Sequence, residues 1–191
     1  ASPRAAARLG PVGARLAATV LLTLPGVVAV AAGDEVGVVD GFPPSLCRRR
    51  GGECAVERAA MPWDGAGGLA APWRPLVEGG AAPVARQQED RDSLLALHRR
   101  LIGLRASEPA LNGGSVVPLL ARGGLLAYLI EGAGRRLLVA LNGGPDAAAV
   151  PCQRPFTGHV AVATERIREG SRVANTVALA PGEALVIRIT V

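Results

Sequence analysis

Cysteine is scarce in this sequence, and its pattern argues against disulfide-rich and zinc-binding proteins. The chain has three cysteines, Cys47, Cys54 and Cys152. An odd count without a second pair of ligands favours neither a disulfide framework nor a zinc site. A disulfide between Cys47 and Cys54 stays open for an oxidising compartment. We expect no bound metal and no cofactor.

Aromatic residues are also few, at 3% of the chain, and the net charge of +5 comes from scattered arginines. Only Arg48, Arg49 and Arg50 form a basic cluster. Without aromatic side chains between them, such residues are typical of a solvated loop and not of a nucleic-acid site. We therefore expect no nucleic-acid partner.

Long apolar runs are lacking as well. The run that begins at Ala18 is interrupted by Pro25 and Gly26, whereas a membrane helix needs about 20 consecutive apolar residues. We expect no membrane span and a cytoplasmic protein. A secretory signal is the open alternative, because three arginines precede the apolar run and Ala29–Ala31 resembles a cleavage site.

The most informative stretch comprises residues 18–40. Its helical part ends at a Pro-Gly pair, because proline disfavours helix at the residue before it. The continuous apolar run Val27–Ala32 predicts a strand covered on both faces, as in parallel α/β sheets. Asp34 and Glu35 would then stand at the carboxyl end of that strand, where barrels and doubly wound sheets place their chemistry.

The rest of the chain divides into a long loop, a helix and a series of strands. Residues 38–85 have no lasting periodicity and are expected to form the loop. Asp92 or Ser93 caps a helix whose leucines recur at helical spacing up to Glu108 and Pro109. After Pro109, short apolar runs between glycine turns predict an antiparallel sandwich.

The predicted strands are Ser115–Ala121, Leu125–Glu131, Arg136–Leu141, His159–Ala163, Val173–Leu179 and Ala184–Val191. Strand alternation predicts which of their residues form the core and which face solvent. The expected core residues are Leu125, Ala127, Leu129, Leu137, Val139, Leu141, Leu185 and Ile187. The residues expected in solvent are Arg135, Arg136 and Arg188.

Five short motifs follow one another along the chain. They are Leu24-Pro25-Gly26 with Gly33–Gly37, then Arg58–Asp64, Asp92–Leu111, Leu138–Asn142 and Leu179–Ile187. Together they resemble the end of the catalytic barrel and the following β-domain of the α-amylase family of glycoside hydrolases. More narrowly, they resemble the branch of the α-glucosidases, oligo-1,6-glucosidases and trehalose synthases, and the resemblance covers nearly the whole chain.

This resemblance implies an α/β plus all-β fold class. Residues 1–109 would form the last strand-helix units of a (β/α)8 TIM barrel, with helix 7, strand 8, a long loop and helix 8. Residues 110–191 would form an antiparallel β-sandwich, which places a domain boundary near Leu111.

The resemblance also implies substrate-binding residues, namely Arg58, Glu35, Asp34 and Trp63. A guanidinium such as that of Arg58 can hold vicinal hydroxyls and pair with a carboxylate, and an ordinary loop arginine is the alternative. Trp63 would be a sugar platform or a loop anchor. Glu35 would contact substrate or serve as a structural hydrogen-bond acceptor.

The parent implied by the resemblance is a retaining α-glucosidase-type glycoside hydrolase acting on α-linked glucose oligosaccharides. The family's catalytic carboxylates follow the fourth, fifth and seventh strands, and residues 1–4 resemble the sequence just after the last of them. Retention needs two carboxylates about 5–5.5 Å apart, whereas adjacent Asp34 and Glu35 on a strand would point to opposite faces. We therefore expect a C-terminal fragment without catalytic residues and without activity of its own.

Two alternatives to this interpretation stay open at the level of sequence. The chain could belong to a non-catalytic relative that keeps the barrel for binding or docking. It could equally be part of a trehalose synthase-type transglucosidase or isomerase.

Overall fold

The computed structural model describes residues 3–40, 59–64, 80–152 and 154–190. The chain falls into two compact units, residues 1–14 with 30–96 and residues 15–29 with 97–191. Two of the three unit borders, after Ala14 and after Ala96, cut through helices, and the predicted division into residues 1–109 and 110–191 stays a prediction. The α-helices are α1 (Ala5–Thr23), α2 (Val84–Glu89), α3 (Leu94–Ser107) and α4 (Ala110–Gly113). Two short 3-10 helices are Asp34–Val36 and Arg166–Arg168.

Helix α1 contains a kink at Gly10-Pro11, a pair that in the sequence predicts a break or a helix start. Gly10 has a left-handed φ of 70°, and Pro11 follows it inside the helix. Proline suits the first turn of a helix because it has no N–H to leave unpaired there. Among the described residues, α1 is the one helix long and apolar enough to span a membrane, a test that buried helices and signal sequences also pass.

The guanidinium of Arg105 closes the carboxyl end of α1. Its Nη1 donates to the carbonyl oxygens of Leu22 at 3.1 Å and Leu24 at 2.9 Å, and its Nη2 donates to the carbonyl oxygen of Gly26. The last carbonyls of a helix lack partners within the helix, and a cation there also complements the helix dipole. One side chain on α3 therefore satisfies three carbonyl oxygens around this helix end.

Replacing Arg105 by alanine is expected to lower the free energy of unfolding by about 1–3 kcal/mol, because charged hydrogen bonds to the carbonyls are lost. The matched control is Arg99→Ala on the same helix, where the arginine is exposed and its loss should change stability by about 0.5 kcal/mol or less. Urea titration followed by circular dichroism measures both. Equal effects of the two substitutions would contradict the capping role.

The strand predicted at Val27–Ala32 is absent from the structure, so that prediction is wrong. The segment has no regular secondary structure, and Val27 is fully exposed. A parallel strand is stabilised by the strands on either side of it, and no strand in the described part of the chain pairs with this one. The apolar run has the composition of a buried strand, but among the described residues it has no neighbouring strand with which to form hydrogen bonds.

The segment from Ser115 to Ile189 forms the antiparallel sheet that the sequence predicts. Its strands are β1 (Ser115–Arg122), β2 (Leu125–Gly132), β3 (Arg135–Asn142), β4 (Ala148–Pro151), β5 (Thr157–Ala163), β6 (Arg172–Ala174), β7 (Thr176–Leu179) and β8 (Ala184–Ile189). They follow the order β1-β2-β3-β8-β5-β6-β7-β4 in a single sheet. Strand β4 is not among the predicted strands, and Asn175 with a φ of 59° splits the predicted run Val173–Leu179 into β6 and β7.

The register of β2, β3 and β8 corrects the predicted core. Leu129 lies opposite Leu138, and Leu138 lies opposite Ile187, so these side chains share one face of the sheet. We call it the inner face. Its residues join those of β4 to β7 in one cluster that includes Ala127, Leu138, Ala140, Val150, Val160, Val177, Leu179, Leu185 and Ile187.

The opposite face of the same strands is buried too, and we call it the helix-covered face. Its fully buried residues include Ile130, Leu137, Val139 and Val186. Leu16 and Val20 of α1 pack there against Leu126, Leu141 and Ala184, and α4 contacts β2 and β3. The sequence prediction combined alternating residues into one core, whereas they belong to two, and Leu138 and Ala140 were left out.

The predicted solvent positions are exposed as expected. Arg135 and Arg136 are exposed at the start of β3. Arg188 is exposed as well, but its Nε also forms an ion pair with the buried carboxylate of Glu108 at 2.5 Å. That pair joins the last strand to the end of α3.

Candidate functional site

The acidic pair lies in a tight turn formed by residues Gly33–Gly37, which we call the acidic turn. Asp34–Val36 form one turn of 3-10 helix between two glycines with left-handed φ values, 100° at Gly33 and 76° at Gly37. Only glycine adopts such angles without steric cost. The N–H of Val38 donates to the carbonyl oxygen of Gly33 at 2.9 Å and closes the turn.

The two carboxylates of the acidic turn have separate partners. Glu35 Oε2 accepts a hydrogen bond from the N–H of Gly33 at 2.7 Å. Asp34 Oδ1 accepts one from Arg4 Nη1 at 2.6 Å. Glu35 therefore has the structural bond that was one of its two predicted roles, and Asp34 is one half of an ion pair.

Arg4 is the main anchor of the acidic turn. Its Nη2 donates to the carbonyl oxygen of Ala32 at 2.9 Å, and its backbone N–H donates to Asp40 Oδ2 at 3.2 Å. The arginine side chain is 8% exposed and that of Asp34 is 30% exposed. A guanidinium forms several directed hydrogen bonds at once, so one residue fixes both ends of this segment.

Gly33 has a second reason to be glycine. A Cβ at this position would lie 3.1 Å from Val38 Cγ2 and 3.3 Å from Arg4 Nη1. Both distances are shorter than ordinary van der Waals contact, so any side chain would push against the anchoring guanidinium. The backbone conformation and the close approach of Arg4 thus require the same residue.

Trp63 lies on a segment that packs beside the acidic turn. The N–H groups of Val84 and Ala85 donate to the carbonyl oxygens of Pro62 at 2.7 Å and Trp63 at 3.0 Å, which places residues 59–64 at the start of α2. Met61 packs against Val36, Val38 and Val84. Trp63 itself is 66% exposed, so most of its surface is open to solvent.

Arg58 lies outside the described residues, as do Cys47, Cys54 and the basic cluster at 48–50. The structure thus brings three of the four predicted substrate-binding residues, Asp34, Glu35 and Trp63, into one compact unit. Whether they bind substrate stays a prediction.

Two residues that hold this unit together were not among the predicted site residues. Gln87 is buried, and its Nε2 donates to the carbonyl oxygens of Val36 at 2.8 Å and Ala82 at 3.0 Å. In the sequence, Arg4 stands among several arginines near the start of the chain, and nothing nearby marks it as the partner of Asp34. Each of the two forms a hydrogen bond with a residue at least 30 positions away in the sequence. A local sequence pattern does not indicate such a long-range contact.

The N-terminal cap of α3 was predicted and is present. Ser93 Oγ accepts a hydrogen bond from the N–H of Ala96 at 3.1 Å and donates to the carbonyl oxygen of Gln87 at 2.7 Å. Gln87 Oε1 accepts from the N–H of Leu95 at 3.2 Å. The cap therefore also ties α3 to α2, beside the acidic turn.

The chemistry available to these residues is binding and orientation. Asp34 is paired with Arg4, and Glu35 is held by the backbone of its own turn, so neither is presented as half of a hydrolytic pair. Within the described ranges, no cluster of three or more His, Cys, Asp or Glu residues could hold a metal ion. A rigid acidic turn can present carboxylate oxygens and backbone groups to a hydroxylated ligand.

Comparison with known proteins gives one curated relative and a consistent set of solved structures. No protein-family model matches the chain. A probable α-glucosidase from Rhizobium meliloti (strain 1021) is 28% identical over 165 residues, which are 76% of this chain and 30% of that protein. The chain therefore spans less than a third of the length of the curated relative.

The solved structures agree on the fold. The trehalulose synthase MutB from Pseudomonas mesoacidophila MX-45 has a TM-score of 0.80 at 20% identity, covering 98% of this chain and 41% of that chain. A mutant isomaltulose synthase from Erwinia rhapontici NX5 has a TM-score of 0.79 at 18% identity, with the same coverage. At this identity the likeness concerns the fold, and it confirms the predicted fold class of barrel end plus β-sandwich. The chain thus has the fold of the C-terminal part of the α-amylase-type glycoside hydrolases, and its sequence resembles that of their α-glucosidase branch.

Proposed function

We propose that the chain is the C-terminal part of a retaining α-glucosidase-type glycoside hydrolase that acts on α-linked glucose oligosaccharides. The observation that carries the proposal is the acidic turn. Its Gly-Asp-Glu-Val-Gly sequence resembles the family motif, and Val36 of the turn packs in one cluster with Met61 of the Arg58–Asp64 motif. The relative that is 28% identical is named a probable α-glucosidase, and a MutB mutant has been crystallised with its substrate sucrose.

The proposed role of this chain is to complete the sugar pocket. Asp34, Glu35, Arg58 and Trp63 are the proposed substrate-binding residues, with hydrogen bonds from the polar groups and a stacking surface from the indole. The carboxylates that cleave the bond would come from the preceding part of the parent protein. Retaining hydrolysis needs a nucleophile and an acid/base about 5–5.5 Å apart, and the acidic turn does not supply them. The proposed location is the cytoplasm.

The isolated 191-residue chain is expected to show no glycosidase activity, because its two neighbouring carboxylates are each engaged in holding the acidic turn. The measurement is release of the aryl alcohol from an aryl α-glucoside by the purified chain, at a protein concentration far above that used for an active α-glucosidase. Turnover that copurifies with the chain and disappears in Asp34→Asn or Glu35→Gln variants would contradict this expectation.

The proposal as a whole is tested by sequencing and expressing the coding region upstream of Ala1. We expect an acidic nucleophile, an acidic proton donor and an Asn-His-Asp motif at family spacing, together with hydrolysis of α-glucosides by the longer product. Incubation with sucrose and with maltose separates hydrolysis, which releases glucose, from isomerisation, which yields a new disaccharide. A longer product that lacks these carboxylates would overturn the proposal in favour of a non-catalytic relative.

A further inference from the structure

We infer that Arg4 is a positioning residue that orients Asp34 for a sugar hydroxyl. The inference rests on the proposed function for the identity of the ligand. The coupling between Arg4 and the acidic turn rests on geometry alone.

Arg4 forms hydrogen bonds with residues before, within and after the acidic turn. Its guanidinium binds Asp34 Oδ1 at 2.6 Å and the carbonyl oxygen of Ala32 at 2.9 Å. Its backbone N–H binds Asp40 Oδ2 at 3.2 Å. Residues on both sides of the turn and one within it therefore depend on a single residue that lies about 30 positions earlier.

The ion pair leaves half of the Asp34 carboxylate available. A carboxylate offers about four acceptor sites on its two oxygens, and Arg4 uses one oxygen. Among the described residues, Oδ2 of Asp34 accepts no hydrogen bond from the protein, and 30% of the side chain is exposed. A carboxylate that is fixed in direction and partly exposed is suited to accept a hydrogen bond from a ligand hydroxyl.

The burial of the Arg4 side chain indicates a role beyond stability. The Arg4 side chain is 8% exposed, and its Nε is buried without a partner among the described residues. An unpaired buried donor lowers stability, so the site is not the best solution for stability alone. Gly33 leaves room for the guanidinium, since a Cβ there would approach Nη1 to 3.3 Å.

The first test needs no activity and uses the 191-residue chain. Arg4→Met removes the guanidinium and keeps the volume, Arg4→Lys keeps a cation, and Arg8→Met is the matched control at an exposed arginine of the same segment. Hydrogen exchange at the amides of Gly33 and Val38 should accelerate about tenfold or more in Arg4→Met. It should accelerate less in Arg4→Lys and remain unchanged in Arg8→Met.

The second test uses the longer active product. Arg4→Met should raise KM for an α-glucoside about tenfold while kcat changes little, because a ground-state contact of Asp34 is lost. Arg4→Lys should recover part of the loss, and the double variant Arg4→Met with Asp34→Asn should be no worse than Asp34→Asn alone. A purely structural role would instead lower the active fraction and leave KM unchanged.

The outcomes distinguish the positioning role of Arg4 from the proposed α-glucosidase function. Faster exchange together with a raised KM supports the positioning role. Unchanged exchange in Arg4→Met overturns it, and so does an unchanged KM in an active longer product. An inactive longer product overturns the proposed function and with it the sugar ligand, while the exchange experiment still decides whether Arg4 positions the turn.

Discussion

Replacing Leu138 by alanine is expected to lower the free energy of unfolding by about 2–5 kcal/mol, the usual cost of leaving a cavity in a packed core. Leu138 is 1% exposed and belongs to the inner-face cluster. It lies between Leu129 on β2 and Ile187 on β8. Residues on three adjacent strands would lose contacts, and relaxation of a sheet held by hydrogen bonds on both sides can refill little of the volume.

The neighbouring residue Val139 tests whether the inner face and the helix-covered face of the sheet are both buried. Its side chain points to the helix-covered face and is fully buried, so Val139→Ala should cost about 1–3 kcal/mol. Arg135→Ala, at an exposed position of the same strand, should cost about 0.5 kcal/mol or less. Urea titrations of the three variants give the ranking. A Leu138→Ala variant as stable as Arg135→Ala would show that the assigned register is wrong.

The single tyrosine of the chain is expected to titrate far above its usual range in the folded protein. Tyr128 is 4% exposed, and its hydroxyl lies 2.6 Å from Thr23 Oγ1. Burial raises the pKa of Tyr128 from 10.0 to about 12, and the hydrogen bond with Thr23 partly opposes this increase. Since the chain has one tyrosine, the ultraviolet absorbance of tyrosinate reports this residue alone.

The sign of the stability effect follows from the two pKa values. Below pH 10 tyrosine is neutral in both the folded and the unfolded chain, and its contribution to stability is fully present. As the pH rises from 10 towards 12, the unfolded chain releases the proton while the folded chain keeps it, so the free energy of unfolding falls. The loss should reach about 2–3 kcal/mol once the pH exceeds the folded pKa.

A Tyr128→Phe variant serves as the control for this titration. Thr23 Oγ1 keeps its bond to the carbonyl oxygen of Thr19 at 2.7 Å, so no polar group is left without a partner. The alkaline loss of stability attributed to Tyr128 should be absent in this variant. A tyrosinate titration near pH 10 in the folded protein would instead mean that the hydroxyl is in contact with solvent.

Local features of the fold were predictable from sequence. The kink at Gly10, the cap at Ser93 and most of the strands follow from side-chain and backbone preferences that act over a few residues. Glycine turns with left-handed φ values, such as Gly123 and Gly124, separate the strands where the sequence indicated. Strand β4 was missed because Ala148–Pro151 is short and has little β-branched character.

Features that depend on distant residues were not predictable. The run Val27–Ala32 has the composition of a buried strand but no neighbouring strands in the described part of the chain. Strand alternation identified buried residues, yet it could not show that α1 and α4 would cover the second face of the sheet. The partner of Asp34 lies 30 residues away, so the sequence motif indicated the acidic turn without indicating what holds it.

The helix-covered face limits how this polypeptide could be recombined. If a segment beginning at Ala110 were transferred to another protein, β2, β3 and β8 would be separated from Leu16 and Val20. The apolar helix-covered face of the sheet would then be exposed to water in the chimeric protein. The transferred segment would have to include the chain from Arg15 onward, or another amphipathic helix would have to cover this face. In evolutionary terms, the sheet and the later half of α1 should be inherited together, even though about 90 residues separate them along the chain.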